Sequence, residues 1–228
     1  MLSRLLHPVR LLSSVKLKVG VAQPRLVVLG LIPILCMLAT PALAHHPLGG
    51  RLPSNMMEGL LSGVGHPVIG LDHLAFVIAA GLLATTRVKG FWIPLAFVAA
   101  SIGGTAIHLA SIDLPVPELI ISVSVLAFGA ILAMGDRLNL LTVILLAALS
   151  GIFHGFAYGE GIFGAEPTPM VAYLIGFAGV QAAISLACML LAKGLSRPAF
   201  LSPSFNLRSA GFTLAGVGLA FVSSAILG

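Results

Sequence analysis

The sequence predicts an all-α membrane protein, a bundle of six transmembrane helices that follows a cleavable signal peptide. The chain of 228 residues is 58% hydrophobic and only 8% charged, whereas soluble domains carry about 25% charged residues. Six apolar runs are long enough to cross the hydrocarbon of a bilayer, for which about 20 helical residues suffice. The N-terminus also has the pattern of an export signal. Lipid is therefore the expected solvent for most of the chain.

The N-terminal segment has the parts of a secretory signal peptide. A basic region ends near Arg25, the apolar run LVVLGLIPILCMLA follows, and the small residues Ala42 and Ala44 precede His45. We expect residues 1–44 to be a signal peptide cleaved after Ala44; an uncleaved signal anchor is the alternative that the long basic region leaves open. Residues 45–66 would then form an extracytoplasmic lead, and residues 67–228 the transmembrane domain.

The charges in the connections orient the predicted spans. These spans occupy residues 67–86, 91–112, 117–134, 138–158, 169–192 and 207–227. The basic residues of the connections fall on one side, which the positive-inside rule makes cytoplasmic: Arg87, Lys89, Arg137, Lys193, Arg197 and Arg208. The opposite connections hold the acidic residues Asp113, Glu118, Glu160 and Glu166, and only Arg51 in the lead runs against the rule. This predicts a multi-pass membrane protein with the mature N-terminus and the C-terminus outside the cytoplasm.

The charge pattern and the motifs exclude two classes of function. The net charge of +5 comes from the N-terminus and scattered loops, not from a basic patch, so we expect no nucleic-acid partner. The chain has no GxxxxGK[ST] run and therefore carries no P-loop ATPase motor of its own. The expected partners are the lipid bilayer and a small ion, and a homo-oligomer is left open.

Histidines mark the outer ends of several predicted spans. The first span opens with GHPVIGLDH, in which Pro67 suits the first position of a helix. His66 would then lie at the helix mouth, and His73, seven residues later, would project from the same face. His108 and His154 lie a few residues from the outer ends of the second and fourth spans. The alternative for each is a histidine that only hydrogen-bonds a backbone carbonyl across the bundle.

Asp72 adds a carboxylate to this set. A carboxylate within a membrane costs free energy and needs a partner. Asp72, His73 and His154 together provide two imidazoles and one carboxylate, which suit a divalent transition metal such as Ni, Zn, Cu or Co. Calcium would need more oxygen ligands. We therefore predict that these side chains bind a transition-metal ion.

The fourth span, LSGIFHGFAYGEG, combines a glycine stripe with polar residues. Gly151, Gly155 and Gly159 recur every four residues, a spacing that lets membrane helices pack closely. Tyr158 is expected to be an aromatic residue of the membrane interface rather than a ligand. Glu160 follows at the outer mouth and is a further candidate ligand.

Two of these stretches resemble the motifs of a known family. HPVIGLDH is similar to the HPxxGxDH signature of the HupE/UreJ family, bacterial membrane proteins regarded as nickel or cobalt permeases, and FHGFAYG resembles its second motif, FHGxAHG. The resemblance implies a hydrogenase or urease accessory permease of a bacterial plasma (inner) membrane. Such a permease is not an enzyme and holds no permanent cofactor, and Ni²⁺ or Co²⁺ is its cargo. The resemblance also implies that the metal-handling residues are His66, Asp72, His73 and His154. Tyr158 departs from the motif, where the family usually has a histidine.

These features predict a secondary transporter for uptake of a divalent transition-metal ion. The acidic residues Glu118, Glu160 and Glu166 would concentrate cations at the outer rim. After cleavage, the α-amino group and imidazole of His45, with His46 beside them, would form a flexible chelate that captures the ion. The alternative is that both histidines are ordinary linker residues.

Two other classes of function stay open at this point. A membrane cytochrome would use two facing histidines as haem ligands, and His108 with His154 could form such a pair. An intramembrane metallohydrolase would use Asp72 as a base beside a histidine-bound zinc. The sequence lacks HExxH, however, and catalytic zinc usually takes three protein ligands.

Overall fold

The computed structural model describes residues 48–49, 51–135, 137–195 and 207–227. Seven α-helices and no strands occur in this part of the chain, which confirms the all-helical fold class. The helices are α1 Met56–Ile69, α2 Leu71–Ala84, α3 Trp92–Leu109, α4 Pro117–Ala133, α5 Leu140–Glu160, α6 Pro167–Leu195 and α7 Leu207–Leu227. The predicted signal peptide, His45 and His46 lie outside the described residues, so those expectations stay predictions.

The first helix begins at Met56 because side chains cap the backbone N–H groups at its N-terminus. The side chain of Asn55 accepts a hydrogen bond from the backbone N–H of Glu58 at 3.0 Å. The Glu58 carboxylate in turn accepts from the backbone N–H of Ser54 at 2.8 Å, an arrangement close to a capping box. The expectation that a helix starts at Pro67 was therefore wrong, since Pro67 lies in the last turn of α1.

Arg51, the residue that runs against the positive-inside rule, is bound to this same cap. Both of its terminal nitrogens donate to the Glu58 carboxylate at 2.9 Å. The carboxylate raises the pKa of the Arg51 guanidinium and offsets its charge locally. Arg51 therefore adds little net positive charge to the segment before α1.

The chain breaks between α1 and α2. Gly70 is in an extended conformation, with φ −71° and ψ 98°, and the two helices meet there at 79°. α1 and α2 have 14 residues each, about 21 Å of helix apiece, so neither crosses the hydrocarbon alone. Taken together the pair is apolar enough to form one broken span or a re-entrant loop.

Judged by length and composition, fewer helices can span the membrane than the sequence predicts. Four helices within the described residues are long and apolar enough to cross a membrane: α3, α5, α6 and α7. The broken pair of α1 and α2 brings the number to five. α4 has 17 residues, which is at the lower limit for a span. The count of six therefore stays a prediction.

Glycines bring the helices together in pairs. Gly151 and Gly155 of α5 face the backbone carbonyls of Phe97 and Ser101 of α3, where any side chain would overlap the partner. Glycines also lie against the partner backbone where α1 packs on α6 and α4 packs on α7, at positions Gly59, Gly63, Gly176, Gly129, Gly211 and Gly218. The packing role expected for the glycine stripe of α5 is confirmed, because close approach without side chains maximises helix contact in lipid.

An aromatic cluster packs in the interior of the bundle, between these helix pairs. The ring of Phe76 lies 4.5 Å from those of Phe97 and Phe128, and 4.8 Å from the ring of His154. All four side chains are buried. The cluster thus supports one side of the histidine group described next.

Candidate metal site

Three histidines from three helices meet at the break between α1 and α2. The ring centroids of His66 and His73 lie 5.8 Å apart, and those of His73 and His154 lie 4.9 Å apart. His66 and His73 are each 2% exposed and His154 is fully buried. The bundle therefore holds three imidazoles together in its interior.

The break, and not a shared helix face, brings His66 and His73 together. The two residues belong to different helices, so the expectation that they project from one face of one helix was wrong. α1 and α2 meet at Gly70. Its N–H donates to the His66 carbonyl in the last turn of α1, and its carbonyl accepts from the backbone N–H of Leu74 in α2. Irregular backbone is tolerated at membrane depth when it is enclosed by protein or lines a cavity.

Hydrogen bonds determine which nitrogens of His154 and His73 carry protons. Ser124 Oγ donates to the carbonyl of Ile121 at 2.6 Å, so its single hydrogen is used. The contact of 3.0 Å between Ser124 Oγ and His154 Nε2 therefore has Nε2–H as the donor. Neutral His154 then carries its lone pair on Nδ1 and accepts from His73 Nδ1–H at 2.7 Å. The lone pair of neutral His73 is consequently on Nε2.

The same reasoning applies to His66. The hydroxyl of Tyr173 donates to the carbonyl of Tyr158 at 2.8 Å. His66 Nδ1 lies 2.7 Å from the Tyr173 hydroxyl oxygen, and must be the donor in that contact. His66 in its neutral form therefore also carries its lone pair on Nε2.

Both imidazoles thus have the form in which histidine commonly binds a metal. A ligating histidine usually donates its other ring N–H to a neighbouring acceptor, which holds the ring and its tautomer. Tyr173 does this for His66 and His154 does it for His73. Within the described residues no group of three or more His, Cys, Asp or Glu side chains is arranged to hold a metal ion. An ion at these two nitrogens would need further ligands from water, hydroxyl or carbonyl oxygens.

Asp72 is half-buried in the first turn of α2. Its Oδ1 accepts from the backbone N–H of His73 at 2.8 Å, so one carboxylate oxygen stabilises the start of that helix. The carboxylate is also within electrostatic range of the Tyr158 hydroxyl. The role of Asp72 as a metal ligand stays a prediction.

Tyr158 faces the interior of the bundle, whereas the sequence predicted a residue of the aromatic belt at the membrane interface. The side chain is fully buried, and its ring centroid lies 5.0 Å from His66, 4.6 Å from His73 and 5.1 Å from Phe177. The Tyr158 side chain points into the bundle because α5 packs closely on α3 and α6 packs beside them. Tyr158 is therefore part of the site.

The other candidates lie apart from this cluster or outside the described residues. His108 is half-buried and packs on Phe156 and Phe163, with ring centroids 4.6 Å and 5.6 Å away. The acidic side chains expected to form the outer rim are exposed: Glu118, Glu160 and Glu166. They stand at the start of α4, the end of α5 and just before α6, and their role as an outer rim stays a prediction. Glu160 is also within electrostatic range of Tyr173.

Sequence reasoning missed Tyr173, Ser124 and Gln181. Gln181 is fully buried and contacts Ser101. Tyr173, Phe177 and Gln181 recur every four residues along α6, so they share one helix face. Two polar side chains, Tyr173 and Gln181, on one face of an otherwise apolar span were the available signal.

Comparison with known proteins assigns the chain that carries these motifs to one protein family. The family model described as HupE / UreJ protein matches residues 33–221, which include every helix named above except the end of α7. The chain is 32% identical over 127 residues to Protein HupE of Rhizobium leguminosarum bv. viciae, a match that covers 55% of this chain. The chain thereby spans 64% of the length of that relative. No solved structure matches.

Proposed function

Because the chain belongs to the HupE/UreJ family, we propose that it is a secondary transporter that takes up a divalent transition-metal ion, nickel or cobalt. One observation carries the proposal. Two buried imidazoles, His66 and His73, each held through Nδ1–H, carry their lone pairs on Nε2 at a break in a helix inside the bundle. Imidazole nitrogen suits nickel and cobalt better than it suits calcium or magnesium.

The broken helix supports a transport role over a purely structural one. Discontinuous helices form the ion sites of many secondary transporters, where the carbonyl ends of half-helices face the cation. Here α1 ends at Ile69 beside the two imidazoles, and the negative end of its dipole favours a cation. The carbonyl groups of its last turn could supply oxygen ligands that the side chains lack.

We assign different roles to the histidines. His66 and His73 bind the ion through Nε2, while His154 holds His73 in place, because both of its nitrogens are hydrogen-bonded to His73 and Ser124. This differs from the sequence-based expectation that His154 is itself a ligand. It also disfavours His154 as a haem ligand paired with His108, since a haem iron would need one of those nitrogens.

The exposed carboxylates support an entry route. Glu118, Glu160 and Glu166 would raise the local concentration of cations at the outer surface. His45 and His46, if freed by cleavage, would capture the ion when it is scarce. Ions would then pass to His66, in the last turn of α1.

The membrane potential suffices to drive uptake. An inside-negative potential of 100 mV is worth about 2.3 kcal/mol per charge, and so about 4.6 kcal/mol for a divalent ion. At about 1.36 kcal/mol per tenfold, this supports roughly a thousandfold accumulation. No ATPase partner is required.

Uptake of radiolabelled nickel and cobalt tests the proposal. Cells that express the chain, at limiting external metal, should accumulate one or both ions faster than cells with an empty vector, and dissipation of the membrane potential should abolish the difference. Protein amounts in the membrane are measured in parallel. Uptake equal to the empty vector for both ions, with the protein present, would overturn it.

A further inference from the structure

The end of α5 supplies the backbone group that orients the hydroxyl bound to His66. The α-helical pattern stops there, because the Ile162 N–H donates to the Gly159 carbonyl at 3.2 Å instead of to the Tyr158 carbonyl. Carbonyls in the last turn of a helix lack partners within the helix. The Tyr158 carbonyl is therefore available to the Tyr173 hydroxyl, which donates to it at 2.8 Å.

Gly161, the residue that follows α5, lies directly against the bond between His66 and Tyr173. It is buried, and a side-chain carbon there would lie 3.1 Å from His66 Nδ1, 3.4 Å from His66 Cε1 and 3.3 Å from the Tyr173 hydroxyl oxygen. All three distances are shorter than an ordinary contact of about 3.5–4.0 Å. The bond of 2.7 Å between His66 Nδ1 and the Tyr173 oxygen thus occupies space that any larger residue would narrow.

A side chain at this position would displace His66 more readily than Tyr173. The Tyr173 hydroxyl is tied to the α5 backbone at Tyr158, and its ring packs on Phe177 with centroids 5.7 Å apart. His66 lies in the last turn of α1, next to the break at Gly70, and would meet the new carbon with two ring atoms. A displaced ring changes the angle at Nδ1–H, on which the strength of a hydrogen bond depends steeply.

This bond decides which nitrogen of His66 can bind a metal ion. The hydrogen bond made by one ring nitrogen determines whether the other nitrogen carries the lone pair. With Nδ1–H held by Tyr173, the lone pair of neutral His66 is on Nε2. A change at Gly161 therefore reaches the lone pair of His66 through the bond to Tyr173.

We propose that Gly161 is a positioning residue for His66: the lack of a side chain there lets the end of α5 close on the bond between His66 and Tyr173, and so keeps Nε2 available to the ion. The inference rests on the proposed function for the claim that His66 binds the ion. The part that concerns the tautomer of His66 is independent of any metal.

Nitrogen-15 NMR of the purified full chain, with labelled histidines, reads that tautomer without metal. The His66 signals are those that disappear in His66→Ala. At a pH where His66 is neutral, we expect the proton on Nδ1 in the wild-type chain. Gly161→Ala should add a population with the proton on Nε2, because the bond at Nδ1 is weakened. Gly179→Ala is the matched control, since Gly179 lies on the exposed face of α6 in open space, and should leave the signals unchanged.

Equilibrium nickel binding to the same proteins tests the consequence. We expect Gly161→Ala to lower the nickel affinity about tenfold and Tyr173→Phe about 10- to 100-fold, the range for losing the partner of a ligating histidine. The double variant should lie within about twofold of Tyr173→Phe alone, because two changes that act through one bond are not additive. In a His66→Ala background, Gly161→Ala should cost no further affinity.

The outcomes separate this inference from the proposed function. A wild-type tautomer and wild-type affinity in Gly161→Ala would overturn the positioning role, as would a full additional cost in the His66→Ala background. If Gly161→Ala is missing from the membrane, Tyr173→Phe should restore it by making room, and failure to do so would also count against the role. A chain that binds no nickel, but whose His66 tautomer responds as expected, would remove the proposed function and leave the positioning role standing.

Discussion

The Nδ1 atoms of His73 and His154 lie 2.7 Å apart, so the two imidazoles share one proton in a direct hydrogen bond. His154 Nε2–H donates to Ser124 Oγ, and Ser124 Oγ–H donates to the Ile121 carbonyl. These two bonds make His73 the donor to His154. The lone pair of His73 is therefore held on Nε2. A tautomer is thus specified by a serine on α4, which is not in either sequence motif.

Ser124→Ala should reduce uptake by removing the acceptor for His154 Nε2–H. The loss of one buried hydrogen bond costs about 1 kcal/mol, so we expect uptake to fall about fivefold as His154 changes tautomer and releases His73. Ser122→Ala is the matched control, because Ser122 is buried on the same helix and its hydroxyl donates to the Glu118 carbonyl one turn away. Nickel uptake at limiting metal measures both. Equal uptake in the two variants would contradict the positioning role of Ser124.

His154→Asn should retain much more uptake than His154→Ala. The side-chain oxygen of asparagine lies where Nδ1 of histidine would be, so it can still accept from His73 Nδ1–H. Alanine removes the acceptor, so the His73 ring loses the hydrogen bond that holds its tautomer. We expect uptake in the alanine variant to be about tenfold lower than in the asparagine variant, the ratio for about 1.4 kcal/mol. If both variants lose uptake alike, His154 is a direct ligand instead.

Gly103 and Gly104 are neighbours in the sequence but have opposite surroundings. A side chain at Gly104 would overlap the carbonyl of Ile152 on α5, whereas the space around Gly103 is open. Gly104→Ala should therefore lower the free energy of unfolding by about 1–3 kcal/mol through overpacking, and Gly103→Ala should not. Thermal unfolding of the purified proteins in detergent checks this. Equal midpoints would contradict the close seam of α3 on α5.

The orientation of the chain is tested at its C-terminal end. The loop charges predict that the end of α7 faces outward, so a fused reporter that is active only in the cytoplasm should stay silent. The same reporter fused at Arg87, beyond the end of α2 at Ala84, should be active and serves as the control. An active C-terminal reporter would mean that the broken pair of α1 and α2 does not cross the membrane, or that the short helix α4 does not.

Much of the fold follows from features local in the sequence. Apolar runs predict the long helices, and the spacing of Gly151 and Gly155 predicts their close packing. The break at Gly70 was not predictable in the same way, because the residues on both sides favour helix and Pro67 suits a helix start. The cap at Asn55 decides where α1 begins, and Gly59 and Gly63 pack α1 against α6; the local pattern reveals neither contact.

The histidine cluster was predictable from the sequence, but the side chains that support it were not. His66, His73 and His154 are recognisable as costly polar residues in apolar surroundings. Tyr173 and Ser124 are ordinary helix residues by composition, and their roles depend on contacts between residues far apart in the sequence. Tyr158 has the amphipathic character of an interface residue, and only the tertiary packing turns it inward.

X-ray absorption at the nickel edge of the nickel-loaded, purified full chain tests most directly whether His66 and His73 bind the ion. We expect the outer-shell scattering of two imidazoles with oxygen ligands completing the shell, reduced to one imidazole in His66→Ala or His73→Ala and absent in the double variant. Gly103→Ala serves as the folded control with unchanged scattering. A wild-type spectrum without imidazole scattering, or one that the double variant leaves unchanged, would contradict the assignment.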